Sequence, residues 1–487
     1  MNPPPEQLMA LASRLRAEGR AAEAAEAYRR LLAILPDLPD SWYNLALMER
    51  SCGRFDAALA AYDEALRRGV SGPEEVRLNR AVILTDDLGR HEPAEAELAA
   101  ALALRPDYLP ALLNLGNLHE DLGRREAADA AYARALEVDP GNAVALARLA
   151  GLRRPEGVDD PMIARLRTAL GEPGRSADER AELGFALGRA LDAAGDHDAA
   201  FEAYGAANAA SRAAGAGPRY DRAAHETFID RLIAAFPAPA RAEPDGEAGP
   251  VFVCGLFRSG STLVEQMLAR HSRVTAGGEL GLVPALAGRI RPYPEALAGP
   301  QATEIARQAR ALYLDGLRAA RPGADVVTDK RPDNFLHIGL IRAMFPNARI
   351  VHTVRQPLDV ILSNWLLHLD PSMPQALDLQ DMAHWLVQHD RLMAHWKALY
   401  PDIVEVDYDR LVVEPREVLE DLLQRLGLDW EDAVLDFRGA ETGVRTASVW
   451  QVREPLYRRS SGRWRNYRRH LGPVRAMLGL PPGEAEG

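Results

Sequence analysis

The residues with the clearest chemical purpose form a glycine- and hydroxyl-rich segment, GLFRSGST, at positions 255–262. An apolar run at 251–254 precedes it, and a helix-like stretch at 263–270 follows it. A loop between a buried strand and a helix points backbone N–H groups and the helix N-terminus at an anion. The spacing is that of a nucleoside-triphosphate loop, but Ser261 stands at the position of its phosphate-binding lysine. The segment therefore predicts a phosphate ligand and argues against hydrolysis of ATP or GTP.

Three further side chains in this half of the sequence could bind anionic oxygens. Arg355 follows an apolar run, and Ser363 lies eight positions on, behind Pro357, which fits the first turn of a helix. An arginine fork and a hydroxyl can bind one phosphate together. Lys330 ends the strand-like run 326–330 and is a lysine in a chain that otherwise uses arginine almost throughout. A compact point charge there indicates a specific oxygen as its partner.

In this order the motifs resemble those of the sulfotransferases. The RSGSTL segment at 258–263 resembles the loop that holds the 5′-phosphosulfate of 3′-phosphoadenosine-5′-phosphosulfate (PAPS), and the Arg355–Ser363 pair resembles the family's 3′-phosphate motif. The DKRPDN run at 329–334 resembles the family's central segment. Residues 448–467 are rich in arginine and resemble the segment that closes over the nucleotide in tyrosylprotein sulfotransferases.

The resemblance implies a fold, a donor and a set of site residues. The fold is a P-loop-like, three-layer α/β domain with a parallel sheet over residues 251–487, and PAPS is the sulfate donor, with no metal. The implied catalytic set is Glu279, Arg258, Lys330 and Ser448. The implied nucleotide-binding set is Arg258, Ser259, Gly260, Ser261, Thr262, Leu263, Arg355, Ser363, Arg453, Tyr457 and Arg463.

Glu279 is predicted to be the base that deprotonates the acceptor hydroxyl. It ends the run TAGGE and resembles the Gly-Glu element that supplies the catalytic glutamate in tyrosylprotein sulfotransferases. Those enzymes carry a second acidic residue at the next position, where this chain has Leu280. Other sulfotransferases use histidine, so His271 and His352 are alternatives, although His352 falls within an apolar strand and is expected to be part of the core.

The first half of the sequence is predicted to form a repeat array. Gly19, Gly53, Gly89 and Gly123 recur at spacings of 34, 36 and 34 residues, with an alanine five residues after each of them. The segments resemble the two helices of the tetratricopeptide repeat, which implies an all-α superhelix whose concave face binds a protein or peptide.

The predicted organisation is therefore multidomain. The array covers 5–235, with its best repeats at 5–150, a degenerate stretch at 151–175 and a further unit near 178–212. Residues 236–250 are a Pro- and Gly-rich linker, and the second domain covers 251–487. We expect residues 249–487 to fold without the array.

Composition excludes several classes of function. The net charge of −12 argues against bulk binding of nucleic acid, and no run of about 18 apolar residues predicts a membrane span. Two cysteines exclude a disulfide framework, and no secretory signal pattern is visible, so the sequence predicts a cytoplasmic protein. His384, His389 and His395 are spaced by five and six residues and so do not share a helix face, which disfavours a metal site.

The predicted function is PAPS-dependent transfer of a sulfuryl group to a hydroxyl acceptor. A protein or peptide tyrosine, a sugar hydroxyl and a small metabolite all fit as acceptors. Two alternatives stay open at the level of sequence: a P-loop nucleotide-dependent kinase, and a repeat scaffold with a catalytically inactive nucleotide-binding domain. The repeat array is equally compatible with homo-oligomer formation.

Overall fold

The computed structural model describes residues 3–215, 217, 219–240, 249–369, 373–436 and 461–481. The chain divides into two compact units, Met1–Arg154 and Pro155–Gly487.

The first unit consists of helix pairs, as the repeats predict. Its helices are α1 Pro5–Ala17, α2 Ala21–Ile34, α3 Pro39–Ser51, α4 Phe55–Arg67, α5 Pro73–Val82, α6 His91–Leu104, α7 Leu109–Asp121, α8 Arg125–Val138 and α9 Ala143–Leu152. A π-helical turn, Ile83–Asp87, continues α5. Successive helices pack as pairs, α1 on α2 through α7 on α8. The prediction of a tetratricopeptide architecture is thus confirmed for this unit.

Small residues at the repeat positions allow the paired helices to approach each other closely. A Cβ atom on Gly116 of α7 would lie 2.4 Å from the Cε1 atom of Tyr132 on α8, so only glycine leaves room for that ring. Tyr132 is fully buried, as is Tyr62 at the equivalent position of α4, and the repeat alanines Ala128 and Ala58 of the same two helices are fully buried too. The recurring sequence positions are therefore the helix-pair contacts.

The second unit begins with four helices and continues into an α/β domain. The helices are α10 Pro161–Gly171, α11 Ala177–Ala193, α12 His197–Ala214 and α13 Arg222–Ala235. The strands are β1 Val251–Gly255, β2 Val274–Ala276, β3 Val326–Lys330, β4 Arg349–Val354 and β5 Val404–Asp407. The remaining helices are α14 Ser261–Leu268, α15 Leu282–Arg289, α16 Ala302–Ala320, α17 Ile338–Met344, α18 Pro357–Trp365, α19 Leu379–Leu399, α20 Tyr408–Leu411, α21 Pro415–Arg425 and α22 Gly472–Met477.

The five strands form one parallel sheet in the order β2-β3-β1-β4-β5. Alternate side chains of β1 enter two different cores: Phe252 packs with α13, α15, α17 and α19, and Val253 packs with α14 and α21. Helices thus cover both faces of the sheet, which confirms the predicted three-layer α/β fold with a parallel sheet.

The helices before the linker pack against the α/β domain. On α13, Ile229 and Leu232 belong to the same core as Phe252, and Phe236 fits against Gly339, where a Cβ atom would lie 2.4 Å from the phenylalanine ring. On α12, the buried Asn208 donates a hydrogen bond of 2.9 Å from Nδ2 to the carbonyl oxygen of Trp365.

We therefore expect residues 155–487 to unfold as one cooperative domain. This replaces the expectation from the sequence that 249–487 folds without the array, because a fragment that lacks α13 would be strongly destabilised. Each large apolar side chain removed with α13 contributes about 1.5–3 kcal/mol, and losing three of them is comparable to the whole stability of a typical domain. Thermal melts of the two fragments by circular dichroism measure the difference. Equal melting temperatures would show that α13 is dispensable and that the predicted boundary at 236–250 is also the folding boundary.

Candidate active site

The candidate site lies at the carboxyl ends of β1, β3 and β4. After β1 the chain passes to β2 and β3 on one side of it, and then to β4 and β5 on the other side. In open parallel sheets such a reversal of strand order leaves a crevice at the carboxyl edge, where ligands bind. The phosphate loop follows β1, Lys330 ends β3, and Arg355 follows β4.

The phosphate loop is held in a fixed shape by its own bonds. The buried Ser259 donates from its backbone N–H and from Oγ to the carbonyl oxygen of Leu256, at 3.1 Å and 2.6 Å, and its hydroxyl lies 2.7 Å from Oγ1 of Thr353. Ser259 therefore shapes the loop in this arrangement. The loop ends at Gly260, whose φ of 103° and contact with Tyr408 admit no other residue without strain.

Ser261, Thr262 and Leu263 form the first turn of α14. Backbone N–H groups in a first helical turn have no partner within the helix and carry the positive end of the helix dipole. The position of these residues is the one expected of groups that bind a phosphate, and their predicted role stays a prediction.

Arg258, Arg355 and Ser363 come together beside the loop. Arg258 donates from Nε to Oγ of Ser363 at 3.1 Å, and Arg355 donates from Nη1 to the carbonyl oxygen of Arg258 at 3.0 Å. The Arg355 guanidinium also lies over the Tyr408 ring, 4.7 Å from its centre. Arg258 has a φ of 72°, an unfavourable value for a residue with a Cβ atom. Residues held in such conformations concentrate at functional sites.

Lys330 and Glu279 form a charged pair at the end of β3. Lys330 Nζ lies 2.6 Å from Glu279 Oε1; the lysine side chain is only 2% exposed, whereas that of the glutamate is 38% exposed. The structure therefore brings together the predicted cation and the predicted base, with the carboxylate on the solvent side of the pair.

The two histidine alternatives are buried and have hydrogen-bond partners other than Lys330. His271 Nε2 lies 3.0 Å from the carbonyl oxygen of Asp429, and its Nδ1 accepts from the N–H of Arg273 at 3.1 Å. His352 Nε2 lies 3.2 Å from Nε2 of His389, and burial lowers the pKa of His352 to about 4. His352 and His389 both line a cavity of about 370 Å³ between β4 and α19. Glu279 is therefore the better-placed candidate for the base.

Three of the predicted residues near the C-terminus, Ser448, Arg453 and Tyr457, lie outside the described residues. Arg463 lies within them, and it donates from Nη2 to Oδ2 of Asp192 on α11 at 2.7 Å. In this arrangement the arginine anchors the C-terminal segment to α11, and its predicted contact with the nucleotide stays a prediction.

Several buried polar residues that support the site were not predicted from the sequence. Asn364 donates from Nδ2 to the carbonyl oxygen of Phe257 in the phosphate loop at 2.9 Å. Asp359 accepts from the backbone N–H of Trp464 at 2.8 Å, and burial raises its pKa. Glu265, within the apolar run TLVEQML of α14, is almost fully buried. A charged residue inside an apolar helix was the signal that could have identified Glu265.

Among the described residues, no group of three or more His, Cys, Asp or Glu side chains could hold a metal ion. Within the same residues, no helix has the length and apolar character needed to cross a membrane.

Comparison with protein families finds one family in each of the two units of the chain. Residues 250–432 match the sulfotransferase family, and residues 39–68 and 109–142 match the tetratricopeptide repeat. The chain thus carries tetratricopeptide repeats followed by a sulfotransferase-family domain, and the tyrosylprotein sulfotransferases are its distant homologues.

Individual relatives cover the chain in part. An uncharacterized protein of Aquifex aeolicus (strain VF5) is 36% identical over 338 residues, which are 66% of this chain and 44% of that protein, so the chain spans less than half of its length. Protein-tyrosine sulfotransferase 2 of Gallus gallus is 22% identical over 265 residues, 48% of this chain and 69% of that protein. The solved sulfotransferase domain of the Synechococcus PCC 7002 olefin synthase is 21% identical, with a TM-score of 0.34, and the match covers 46% of this chain and 91% of that one.

Proposed function

We propose that the second unit transfers a sulfuryl group from PAPS to a hydroxyl acceptor. The observation that carries the proposal is the arrangement of cations at the carboxyl ends of adjacent strands of the sheet. Arg258, Arg355 and the hydroxyl of Ser363 are linked by hydrogen bonds beside the loop that follows β1, and Lys330 pairs with Glu279 at the end of the neighbouring strand β3. In a protein with a net charge of −12, such a local group of cations suits a ligand with several negative charges.

The hydrogen-bond donors of the site suit a nucleotide that carries phosphate at two positions. A guanidinium fork and a hydroxyl suit a terminal phosphate, and the first turn of α14 suits a phosphate that approaches the helix end. Lys330 offers a single compact charge, which suits the oxygen that bridges a sulfuryl group and a phosphate.

PAPS, when bound, supplies the sulfuryl group and is released as 3′,5′-adenosine bisphosphate. Glu279 takes the proton of the acceptor hydroxyl, whose oxygen forms the new bond to sulfur. Lys330 stabilises the charge on the oxygen whose bond to sulfur breaks. Arg258, in the phosphate loop, supplies a second positive charge to the donor. Positioning and electrostatic stabilisation of this kind account for most of the catalysis of related group transfers.

We further propose a protein or peptide as the acceptor, with tyrosine as the favoured hydroxyl. Tetratricopeptide repeats present extended concave surfaces that commonly bind other proteins. Similarity to a protein-tyrosine sulfotransferase, although distant, supports the same class of acceptor.

The first test is nucleotide selectivity. The full chain should bind 3′,5′-adenosine bisphosphate roughly 100-fold more tightly than AMP, because charge-assisted bonds to the additional phosphate contribute about 1.5–3 kcal/mol each. Isothermal calorimetry measures both affinities, and 2′,5′-adenosine bisphosphate is the matched control, since it has the same charge at a different position. Equal affinities for the two bisphosphates would contradict the assignment of Arg355 and Ser363.

The activity itself is tested by incubating the full chain with PAPS and tyrosine-containing peptides, and following release of 3′,5′-adenosine bisphosphate. Mass spectrometry of the peptides should show one added sulfuryl group. ATP in place of PAPS separates this proposal from a kinase, and tight binding of the bisphosphate without any transfer to peptides, sugars or phenols would favour a scaffold with an inactive domain.

A further inference from the structure

Glu265 is a buried carboxylate that interacts electrostatically with Lys330 and Glu279, the proposed catalytic pair. It lies on α14 among the apolar residues Val264, Met267 and Leu268, and it is 3% exposed. Burying a carboxylate in such surroundings is unfavourable unless hydrogen bonds and a counter-charge compensate for the lost water. Burial raises the pKa of Glu265, and the positive charge of Lys330 and hydrogen bonds from Thr328 and Gly278 oppose that increase. A residue kept at such an unfavourable position needs a specific role.

The contacts of Glu265 are with the turn that carries Glu279. Its Oε1 accepts from Oγ1 of Thr328 at 2.7 Å and from the backbone N–H of Gly278 at 3.0 Å. The Thr328 hydroxyl accepts in turn from the N–H of Gly277 at 3.2 Å. Glu265 and Thr328 therefore fix both amide groups of the Gly277–Gly278 turn.

The turn is also held from its other side. Lys330 donates from its backbone N–H to the carbonyl oxygen of Gly278 at 3.0 Å. A Cβ atom on Gly277 would lie 2.0 Å from the carbonyl oxygen of Thr328, so the turn lies directly against β3. Glu279 is the next residue after this turn, and its carboxylate reaches Lys330 Nζ at 2.6 Å.

We infer that Glu265 is a positioning residue for the transfer reaction: it holds the Gly277–Gly278 turn against β3 and so places Glu279 beside Lys330. The inference rests on the proposed function for its catalytic consequence, and on the hydrogen bonds of the turn for its structural consequence. Its effect is on turnover, because the Glu265 carboxylate is engaged with Thr328 and the turn, whereas the predicted 3′-phosphate contacts of Arg355 and Ser363 lie beside the phosphate loop.

Glu265→Ala in the full chain should lower kcat by roughly 10²-fold, since a misplacement of about 1 Å in a reacting group has an effect of that size. The dissociation constant for 3′,5′-adenosine bisphosphate should stay within about twofold of wild type. Glu265→Gln keeps a carbonyl oxygen that can accept both hydrogen bonds, so it should recover most of the lost turnover. A merely structural role would lower stability without this division between kcat and nucleotide affinity.

A second pair of variants guards against misfolding of Glu265→Ala. Thr328→Val keeps the shape of the side chain but removes the hydroxyl that links Glu265 to Gly277, and Thr328→Ser restores it. We expect Thr328→Val to lower kcat and Thr328→Ser to retain it. Full turnover in both Thr328→Val and Glu265→Ala would overturn the inference.

Hydrogen–deuterium exchange gives a measurement that does not depend on activity. Peptides covering residues 274–281 should exchange faster in Glu265→Ala and Thr328→Val than in wild type. Asn208→Ala is the control, because Asn208 is equally buried but binds the carbonyl oxygens of Tyr204 and Trp365 instead. Unchanged exchange at 274–281 would refute the placement role. Faster exchange in a chain whose wild type transfers no sulfuryl group would support the placement and reject the proposed function.

Discussion

Arg355→Ala should weaken binding of 3′,5′-adenosine bisphosphate by ~2–5 kcal/mol, the usual effect of removing one partner from a buried, hydrogen-bonded charge pair. On the affinity scale this is a loss of roughly 30-fold to several thousand-fold. The guanidinium is already oriented by the Tyr408 ring and by the carbonyl oxygen of Arg258, so little side-chain freedom is lost when a phosphate binds. Isothermal calorimetry of the wild type and the variant measures the change.

The controls separate a lost phosphate contact from a damaged loop. AMP lacks the 3′-phosphate, so its affinity should change far less than that of the bisphosphate. Arg307→Ala removes an exposed arginine that pairs with Glu304 on α16 and should leave both affinities unchanged. An equal loss for AMP and the bisphosphate would mean that Arg355 acts by holding Arg258 in place and does not itself bind the phosphate.

The phosphate loop and the strand ends could be predicted because their signals are local. A strand, a glycine-rich turn and a helix lie within 18 consecutive residues, 251–268, and their geometry follows from those residues alone. The pairing of Lys330 with Glu279 joins residues 51 positions apart. The family resemblance implied a role for each of the two residues but not their pairing, because no spacing rule brings the end of β3 to the turn after β2.

The supporting residues could not be predicted, because their partners are set by the tertiary fold. Glu265 meets Thr328 across 63 positions of sequence, and Asn208 meets Trp365 across 157. In the sequence Glu265 is marked only as a charge within an apolar helix, which does not indicate its partner, and Asn208 resembles an ordinary polar residue of an array helix. Only the packing of α14 on β3, and of α12 against the end of α18, gives these side chains their partners.

Glu279→Gln should lower turnover by roughly 10²–10⁴-fold, which is the usual contribution of a positioned general base. Glutamine keeps the size of the side chain and its carbonyl oxygen can still accept from Lys330 Nζ, but it cannot take a proton from the acceptor. Affinity for 3′,5′-adenosine bisphosphate should be unchanged or higher, because the variant removes a negative charge 2.6 Å from Lys330. Steady-state kinetics with PAPS and calorimetry with the bisphosphate test the two parts.

The ion pair with Lys330 makes a second explanation available, in which Glu279 only fixes the lysine. The two roles differ in how they respond to the acceptor. A phenol that is already ionised at the assay pH has no proton to lose, so it should restore much of the turnover of Glu279→Gln if the glutamate is the base. If Glu279 only orients Lys330, the loss should be the same for ionised and neutral phenols, because the lysine acts on the leaving oxygen of the donor in both reactions. A series of phenols of decreasing pKa therefore decides between the roles: a ratio of wild-type to variant turnover that falls along the series supports the base, and a constant ratio assigns Glu279 to the ion pair alone.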